Sequence, residues 1–408
     1  MKIGLFTDTY FPQVSGVATS IKTLKEALES RGHQVYIFTT TDPNVLEQEK
    51  DIIRMPSVPF VSFKDRRIVV RGMLSAYYIA KELGLEMIHT QTEFGCGILG
   101  KMVAHQMKIP CVHTYHTMYE DYLHYIAKGK IFRPSHVKLL SRFFSHHLSG
   151  LVCPSMRVVE TLQKYGVSTP LRVIPTGINL QKFSKDQVEE AAIVELRQRY
   201  GYTKDTILLL SLSRLSYEKN IQEVLHGFTE IIKEIPEARL LIAGNGPYVE
   251  ELNELTQKLG LEDVVTFAGE VNQEIVPVYY RAADYFVSCS TSESQGLTYT
   301  EAMASSTQCV VCGNEYIDSL FDHPSFGQTF KQPEEFAESF LSYYQSKQIK
   351  DSQLLAEKLY SLSSEKFAED ILEFYDAAQN YFDMTLATEE SYPTRILKTR
   401  KILRRKEQ

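Results

Sequence analysis

The chain of 408 residues has no apolar run long enough to span a bilayer. It also lacks the apolar segment that follows the start of a signal peptide: "MKIGLFTDTYF" is broken at Thr7 and Asp8. The expectation is a cytoplasmic protein, at most peripheral on the inner face of the cell membrane. No two aspartates stand two apart, so there is no D-x-D pair to bridge a diphosphate through a divalent ion. The six cysteines are scattered singly except for Cys309 and Cys312 in "CVVC". No further ligands follow at zinc spacing, and the Val-Val between them reads as buried strand, so these are structural thiols and no metal site is assigned. Glycine and proline are too few for a disordered chain. A net charge of −7 argues against general nucleic-acid binding.

What is present is unevenly spread. In the last eighteen residues, "SYPTRILKTRKILRRKEQ", seven Lys/Arg face one Glu, so +6 sits here and −13 on the remainder of the −7 chain. A second stretch, from Tyr122 to Gly150, has no acid and holds Lys128, Lys130, Arg133, Lys138 and Arg142. Basic segments on an acidic protein suit an anionic membrane surface. A solvated basic face has the same composition, so charge alone does not decide.

Short apolar strands alternate with amphipathic helices, the pattern of a parallel α/β protein. "KIGLF", "QVYIF", "MIHT", "PCVHTY", "GLVCPS" and "LRVIPT" are the strands of a first run. In "VATSIKTLKEALESRG", Ala18, Ile21, Leu24, Ala27 and Leu28 make one helical stripe and Gly32 a stop. From about residue 205 the alternation restarts with "TILLLSLSR", "ARLLIAG", "VVTFAG", "DYFVSCS" and "CVVCG". Two Rossmann-like domains are expected, over residues 1–180 and 181–364, joined through "PTGINLQKFSKDQ". A helix at about 365–388 is expected to return to the first domain, followed by a basic tail, 389–408. Such sheets bind ligands at the carboxyl ends of their strands, and two domains facing across a cleft would bring loops from both sides.

Candidate site residues lie in those loops. "TDTYFPQVSGVATS" places Gly16 at a helix start, where free N–H groups favour an anion. "LSLSRLSYEKN" offers Arg214 and Lys219, cations suited to a diphosphate. Gly244 in "IAGNGPY" and Gly269 in "FAGEV" end strands where a nucleotide could lie. In "ESQGLTYTE", Glu293 and Glu301 have seven residues between them. On one helix their rise would be about 12 Å, beyond the roughly 5–9.5 Å of a glycosidase acid/base couple. A better reading puts Glu293 in the loop and Glu301 in the second turn. Gln295, Gly296 and Leu297, with Ser294 in the same loop, would then turn N–H groups to an anion, and the carboxylates would accept from sugar hydroxyls.

Four features in order, "DTYFPQVSGV", "TYHT" around His116, "SRLSYEKN" and "ESQGLTYTEAMA", resemble the retaining glycosyltransferases of family 4, which have the GT-B fold. The likeness runs over nearly the whole chain and thins after residue 312. It implies that Glu301 binds the nucleotide ribose and Glu293 a hydroxyl of the donor sugar. It implies that Arg214 and Lys219 hold the diphosphate, Gly16 approaches it, and His116 lies beside the sugar. The catalytic pair would be His116 and Glu293; nearby His113 reads as a satisfied strand-end histidine. Front-face departure of the diphosphate needs no enzymic nucleophile. The expected donor is a UDP-sugar, with no tightly bound cofactor and no obligatory metal. Where the family continues with a Gly and a Pro, this chain has "EAMASSTQCVVCGNE", so no donor contact is carried over beyond Ala302.

The opening loop and basic tail are similar to those of bacterial diacylglycerol glucosyltransferases. That implies a glucosyl group, UDP-glucose and diacylglycerol or a related lipid. In "SHVKLLSRFFSHHLS", Val137, Leu139, Leu140, Phe143, Phe144 and Leu148 fill about half of a helical wheel, and Lys138, Arg142 and His146 the other side. A helix packed on its own domain would look the same. Arg66, Arg67 and Arg71 in "FKDRRIVVRGMLSAYYIAKEL" complete the membrane-contact candidates, with Lys138, Arg142, Phe143 and Phe144. Other readings are addition of a second sugar to a glycolipid, a sugar-nucleotide epimerase or phosphorylase, and a membrane-docked relative without catalysis.

Overall fold

The computed structural model describes residues 1–13, 15–45, 49–60, 63–69, 71–118, 134–293, 295–348 and 351–404, with the main chain alone from residue 388. The chain divides into two compact units, Met1–Pro175 with Phe367–Gln408, and Thr176–Lys366.

The first unit runs β1 (Lys2–Phe6), α1 (Gly16–Ser30), β2 (Gln34–Thr40), β3 (Ile52–Met55), β4 (Ser57–Phe60) and β5 (Phe63–Val69). It continues with α2 (Met73–Leu83), β6 (Met87–Thr90), α3 (Gly95–Met107), β7 (Cys111–Thr114), α4 (Pro134–Ser145), β8 (Gly150–Cys153), α5 (Met156–Tyr165) and β9 (Leu171–Val173). Seven parallel strands order as β3-β2-β1-β6-β7-β8-β9, and β4-β5 is a separate antiparallel hairpin. The central strands are buried almost throughout because helices cover both faces. On one face Phe6, Phe38, Ile88, Leu99 and Leu151 pack together; on the other Ile3, Leu5, Ile21, Leu24 and Val152 do so.

The second unit opens with α6 (Leu180–Phe183) and α7 (Glu190–Arg199), then β10 (Ile207–Leu212), α8 (Ile221–Glu234), β11 (Ala238–Ala243), α9 (Val249–Lys258) and β12 (Val265–Gly269). It goes on through α10 (Val276–Ala282), β13 (Tyr285–Ser288), α11 (Leu297–Ala304), β14 (Gln308–Cys312), α12 (Glu315–Leu320), β15 (Gly327–Phe330), α13 (Phe336–Ser346) and α14 (Ser352–Ser361). Its six parallel strands order as β12-β11-β10-β13-β14-β15. The joining segment belongs to this unit, because Ile178, Phe183 and Val188 are buried in its core. Cys309 and Cys312 are buried free thiols on β14.

The last helix, α15 (Ser364–Arg404), starts on the second unit and returns to the first. There Phe367, Ala368, Ile371, Phe374, Tyr375 and Ala378 complete the face built from Ile3, Leu5 and Val152. Gly150 on β8 makes this possible: a Cβ there would lie 2.5 Å from the Phe374 ring. This is the returning helix expected at about 365–388, and it runs from Ser364 to Arg404.

Candidate functional site

A parallel sheet whose strand order reverses leaves a crevice at the carboxyl ends beside the reversal. In the second unit the order reverses at β10, whose neighbours are β11 and β13. The loops after β10 and β13 carry Arg214, Lys219 and Glu293, so topology alone brings these residues to one place.

Lys219 Nζ pairs with Glu293 Oε1 at 2.5 Å, both side chains largely buried. Arg214 is exposed, and among the described residues no acid pairs with it. The loop after β10 is laced to the loop after β11 by Leu215 N to Asn245 O and Tyr248 N to Leu215 O. Gly244 is required there: its φ is +135°, and a Cβ would fall 1.9 Å from Ser213 O. Gly269, at the end of β12, has open space where a Cβ would stand.

The loop after β13 ends at Gly296, whose φ of +63° turns the chain into α11. In the first turn of α11 the N–H groups of Tyr299 and Thr300 return to Gly296 O, which leaves those of Leu297 and Thr298 without a partner within the helix. Gln295 is buried and spends its amide on Thr176 O at 2.6 Å, so its side chain anchors the loop. Ser294 lies outside the described residues. Glu301 sits in the second turn, half-buried, and Oε2 accepts the Tyr280 hydroxyl at 2.9 Å. Burial pushes its carboxyl up to about 7, against the lowering pull of Tyr280 and the Lys182 ammonium. Such a group accepts hydrogen bonds through both of its oxygens fully only when ionised, above neutral pH.

The first sheet reverses at β1, between β2 and β6. Gly16 begins α1, with Ser15 Oγ accepting Ala18 N–H as its cap, and a Cβ at Gly16 would meet nothing within 4 Å. His116 follows β7, and its Nε2 lies 2.8 Å from Gln91 Oε1 in the loop after β6. Burial, then the neighbouring His113, push the His116 imidazole down to about 3, so it is neutral near pH 7. His113 is fully buried and satisfied by Thr90 and Glu93. Buried Asp8 ties the same loops together, accepting from Thr92 Oγ1 at 2.6 Å and Cys96 N–H at 2.9 Å. Asp8, Gln91 and Tyr280 are absent from the sequence-based set. Gln91 and Tyr280 stand outside the four motifs, and Asp8, although it opens "DTYFPQVSGV", acts through partners distant in sequence, Thr92 and Cys96.

The membrane-contact candidates separate. On α4, Leu139, Leu140 and Phe143 are exposed beside exposed Lys138 and Arg142. Phe144 is a correction: at 6% exposure it packs in the core with Val137 and Leu148, and its ring receives the Lys101 ammonium. The helix has two apolar faces, and the wheel merged them. Arg67 is half-buried, and its guanidinium donates across the β4-β5 hairpin to Ser57 O at 2.7 Å and Ser57 Oγ at 3.0 Å. Arg71 is exposed. The side chain of Arg66, those of the basic tail, and Lys128, Lys130 and Arg133 lie outside the described residues. Among the described residues no helix is long and apolar enough to cross a membrane, and no cluster of three or more His, Cys, Asp or Glu could hold a metal.

Both units match known families. Glycosyltransferase Family 4 matches residues 14–182, and Glycosyl transferases group 1 matches residues 193–359. The alpha-monoglucosyldiacylglycerol synthase of Streptococcus pneumoniae is 49% identical over 98% of this chain and 91% of its own. The enzyme of the same name from Acholeplasma laidlawii is 32% identical, over 86% and 89%. The crystal structure of HepE from Anabaena in complex with UDP superposes with a TM-score of 0.74 at 18% identity, covering 92% of this chain and 100% of that one. With identity at this level running through both units, the chain belongs to the retaining GT-B glycosyltransferases of family 4 and is a sugar-transferring enzyme.

Proposed function

We propose that the protein transfers glucose from UDP-glucose to 1,2-diacylglycerol with retention of configuration, giving α-glucosyl diacylglycerol at a membrane surface. The observation that carries this is the 49% identity to the S. pneumoniae synthase along 98% of the chain. The site chemistry agrees with it. Glu301 would accept hydrogen bonds from the ribose hydroxyls. Arg214 and Lys219, with the first turn of α11, would offset charge on the departing diphosphate. Glu293 would accept from a donor-sugar hydroxyl, which requires that Lys219 share or release it when phosphate arrives. Gly16, Gly244, Gly269 and the loop 294–297 are assigned to donor binding with them. Gly16 and His116, on the other unit, receive their roles from the resemblance alone. A neutral His116 can hydrogen-bond a sugar without adding charge.

Membrane docking is proposed through exposed Leu139, Leu140 and Phe143 with Lys138 and Arg142, placing the enzyme peripherally on the inner face of the cell membrane. Exposed Leu74 and Tyr78 on α2, and Ile98 and Met102 on α3, extend the apolar surface of the same unit.

Purified protein incubated with UDP-glucose and diacylglycerol in anionic vesicles should form α-glucosyl lipid. Glu301→Ala should abolish it, and chelation by EDTA should not. Transfer only to a glycolipid already bearing one sugar would move the acceptor assignment. Conversion of UDP-glucose without acceptor would replace transferase by epimerase.

A further inference from the structure

Asn314 precedes α12, in the stretch where this chain departs from the family pattern. Its side chain makes two kinds of bond at once. Oδ1 accepts the N–H groups of Tyr316 and Ile317, both at 3.0 Å, which caps the helix. Two N–H groups on one atom identify it as the amide oxygen, so the opposite end is the NH2 donor. That Nδ2 donates to the main-chain carbonyl of Glu293 at 2.9 Å. The loop between β13 and α11 has no ladder of its own, so its shape depends on such anchors. Gln295 ties the loop's end to Thr176, and Lys219 grips the Glu293 carboxylate. Asn314 holds the main chain of Glu293 itself.

We propose that Asn314 is a positioning residue for glycosyl transfer, fixing the Glu293 main chain so that its carboxylate is aimed at the donor sugar. This rests on the assignment of Glu293 to that sugar. A helix cap alone does not require the amide donor, since Asp or Ser caps as well. The donor end serves the loop. Lys219 cannot take over, because its ammonium is needed at the diphosphate once the donor is bound. A misplacement of about 1 Å in a group beside the reacting centre costs on the order of a hundredfold in rate.

Asn314→Asp and Asn314→Ser separate the two bonds, because both keep a cap acceptor and remove the NH2 donor. With UDP-glucose and diacylglycerol vesicles, each should lower kcat by about tenfold or more. Affinity for UDP, which has no sugar for Glu293 to meet, should be unchanged by calorimetry, as should the melting temperature. Wild-type kcat in both variants overturns the proposal. So does loss of kcat matched by equal loss of UDP affinity and melting temperature, which would make Asn314 a residue of the fold only. Glu293→Gln separates the levels of inference. If it is inactive beside fully active Asn314 variants, the proposal alone falls. If it keeps wild-type kcat, the assignment of Glu293 falls too.

Discussion

Glu301 combines a carboxyl pushed up to about 7 with a proposed ribose-binding role that needs it ionised, so on that proposal donor affinity should depend on pH. Below 7 the protonated acid competes with the ribose hydroxyls, and UDP binding should weaken by up to about tenfold per pH unit. Calorimetry of UDP binding between pH 5.5 and 8.5 checks this, and Glu301→Gln should flatten the profile while weakening binding throughout. The sign for stability runs the other way. Folded Glu301 keeps its proton above the pH at which the unfolded chain loses it. Its contribution is therefore greatest at acid pH and lost as pH rises through about 7. His116, held down near 3, opposes it: its contribution falls away as pH drops below the ordinary histidine range. The residues proposed to meet the donor, Arg214, Lys219, Glu293 and Glu301, were legible as candidates because they stand in the motifs "SRLSYEKN" and "ESQGLTYTE". Those that hold them were not. Tyr280 reaches Glu301 and Asn314 reaches Glu293 from 21 residues away, and Gln91 reaches His116 from 25, so only the folded sheet pairs them.

At the scale of elements, α4 shows how far periodicity reads. A half-wheel of apolar residues is compatible with packing or with an interface, and this helix turns one part of it to the core and leaves the other exposed. Val137, Ser141 and Phe144 face the core, while Leu139, Leu140 and Phe143 are exposed. Replacing Leu139 and Phe143 together by Glu should leave the melt intact and strongly reduce flotation with anionic vesicles. Phe144→Ala should instead lower stability by about 3–5 kcal/mol, read by chemical denaturation, without changing vesicle binding of the folded fraction. The strands β3 to β5 and β15 escaped the sequence pattern because they are short and at edges, or carry charges as in "FKDRRIV". The interior strands were legible because both their faces are covered and most of them read as apolar runs, such as "ILLLSL" and "ARLLIA". A helix start gives the third test at this scale. Gly16 has open space above it, so Gly16→Val should keep the fold, and a loss of turnover with UDP-glucose would report a ligand placed over α1.

For the whole molecule, the two restarting α/β runs announce two sheets, but the unit boundaries follow from burial: Ile178 and Phe183 belong to the second core, Phe367 to the first. The C-terminal segment therefore has two jobs that truncation can separate. Between Phe367 and Ala378, α15 contributes Phe367, Ile371, Phe374 and Tyr375 to the first unit's core, and the Tyr375 hydroxyl meets the Nδ1 of fully buried His89 at 2.8 Å. Each such side chain stabilises by roughly 1.5–3 kcal/mol when buried, against a usual total of about 5–15 kcal/mol for a domain. A chain ending at Ser363 should therefore not fold its first unit, and His89 would lose its partner. The last eighteen residues carry +6. Each Lys or Arg near an anionic surface is worth about 1 kcal/mol, so a chain ending at Glu390 should melt normally yet bind anionic vesicles far more weakly. Its remaining binding should respond less to salt than that of the full chain, because the apolar face of α4 is left to hold it. If vesicle binding and its salt response are unchanged by that truncation, the attraction lies not in the tail but within residues 1–175, with Lys138, Arg142 and Arg71.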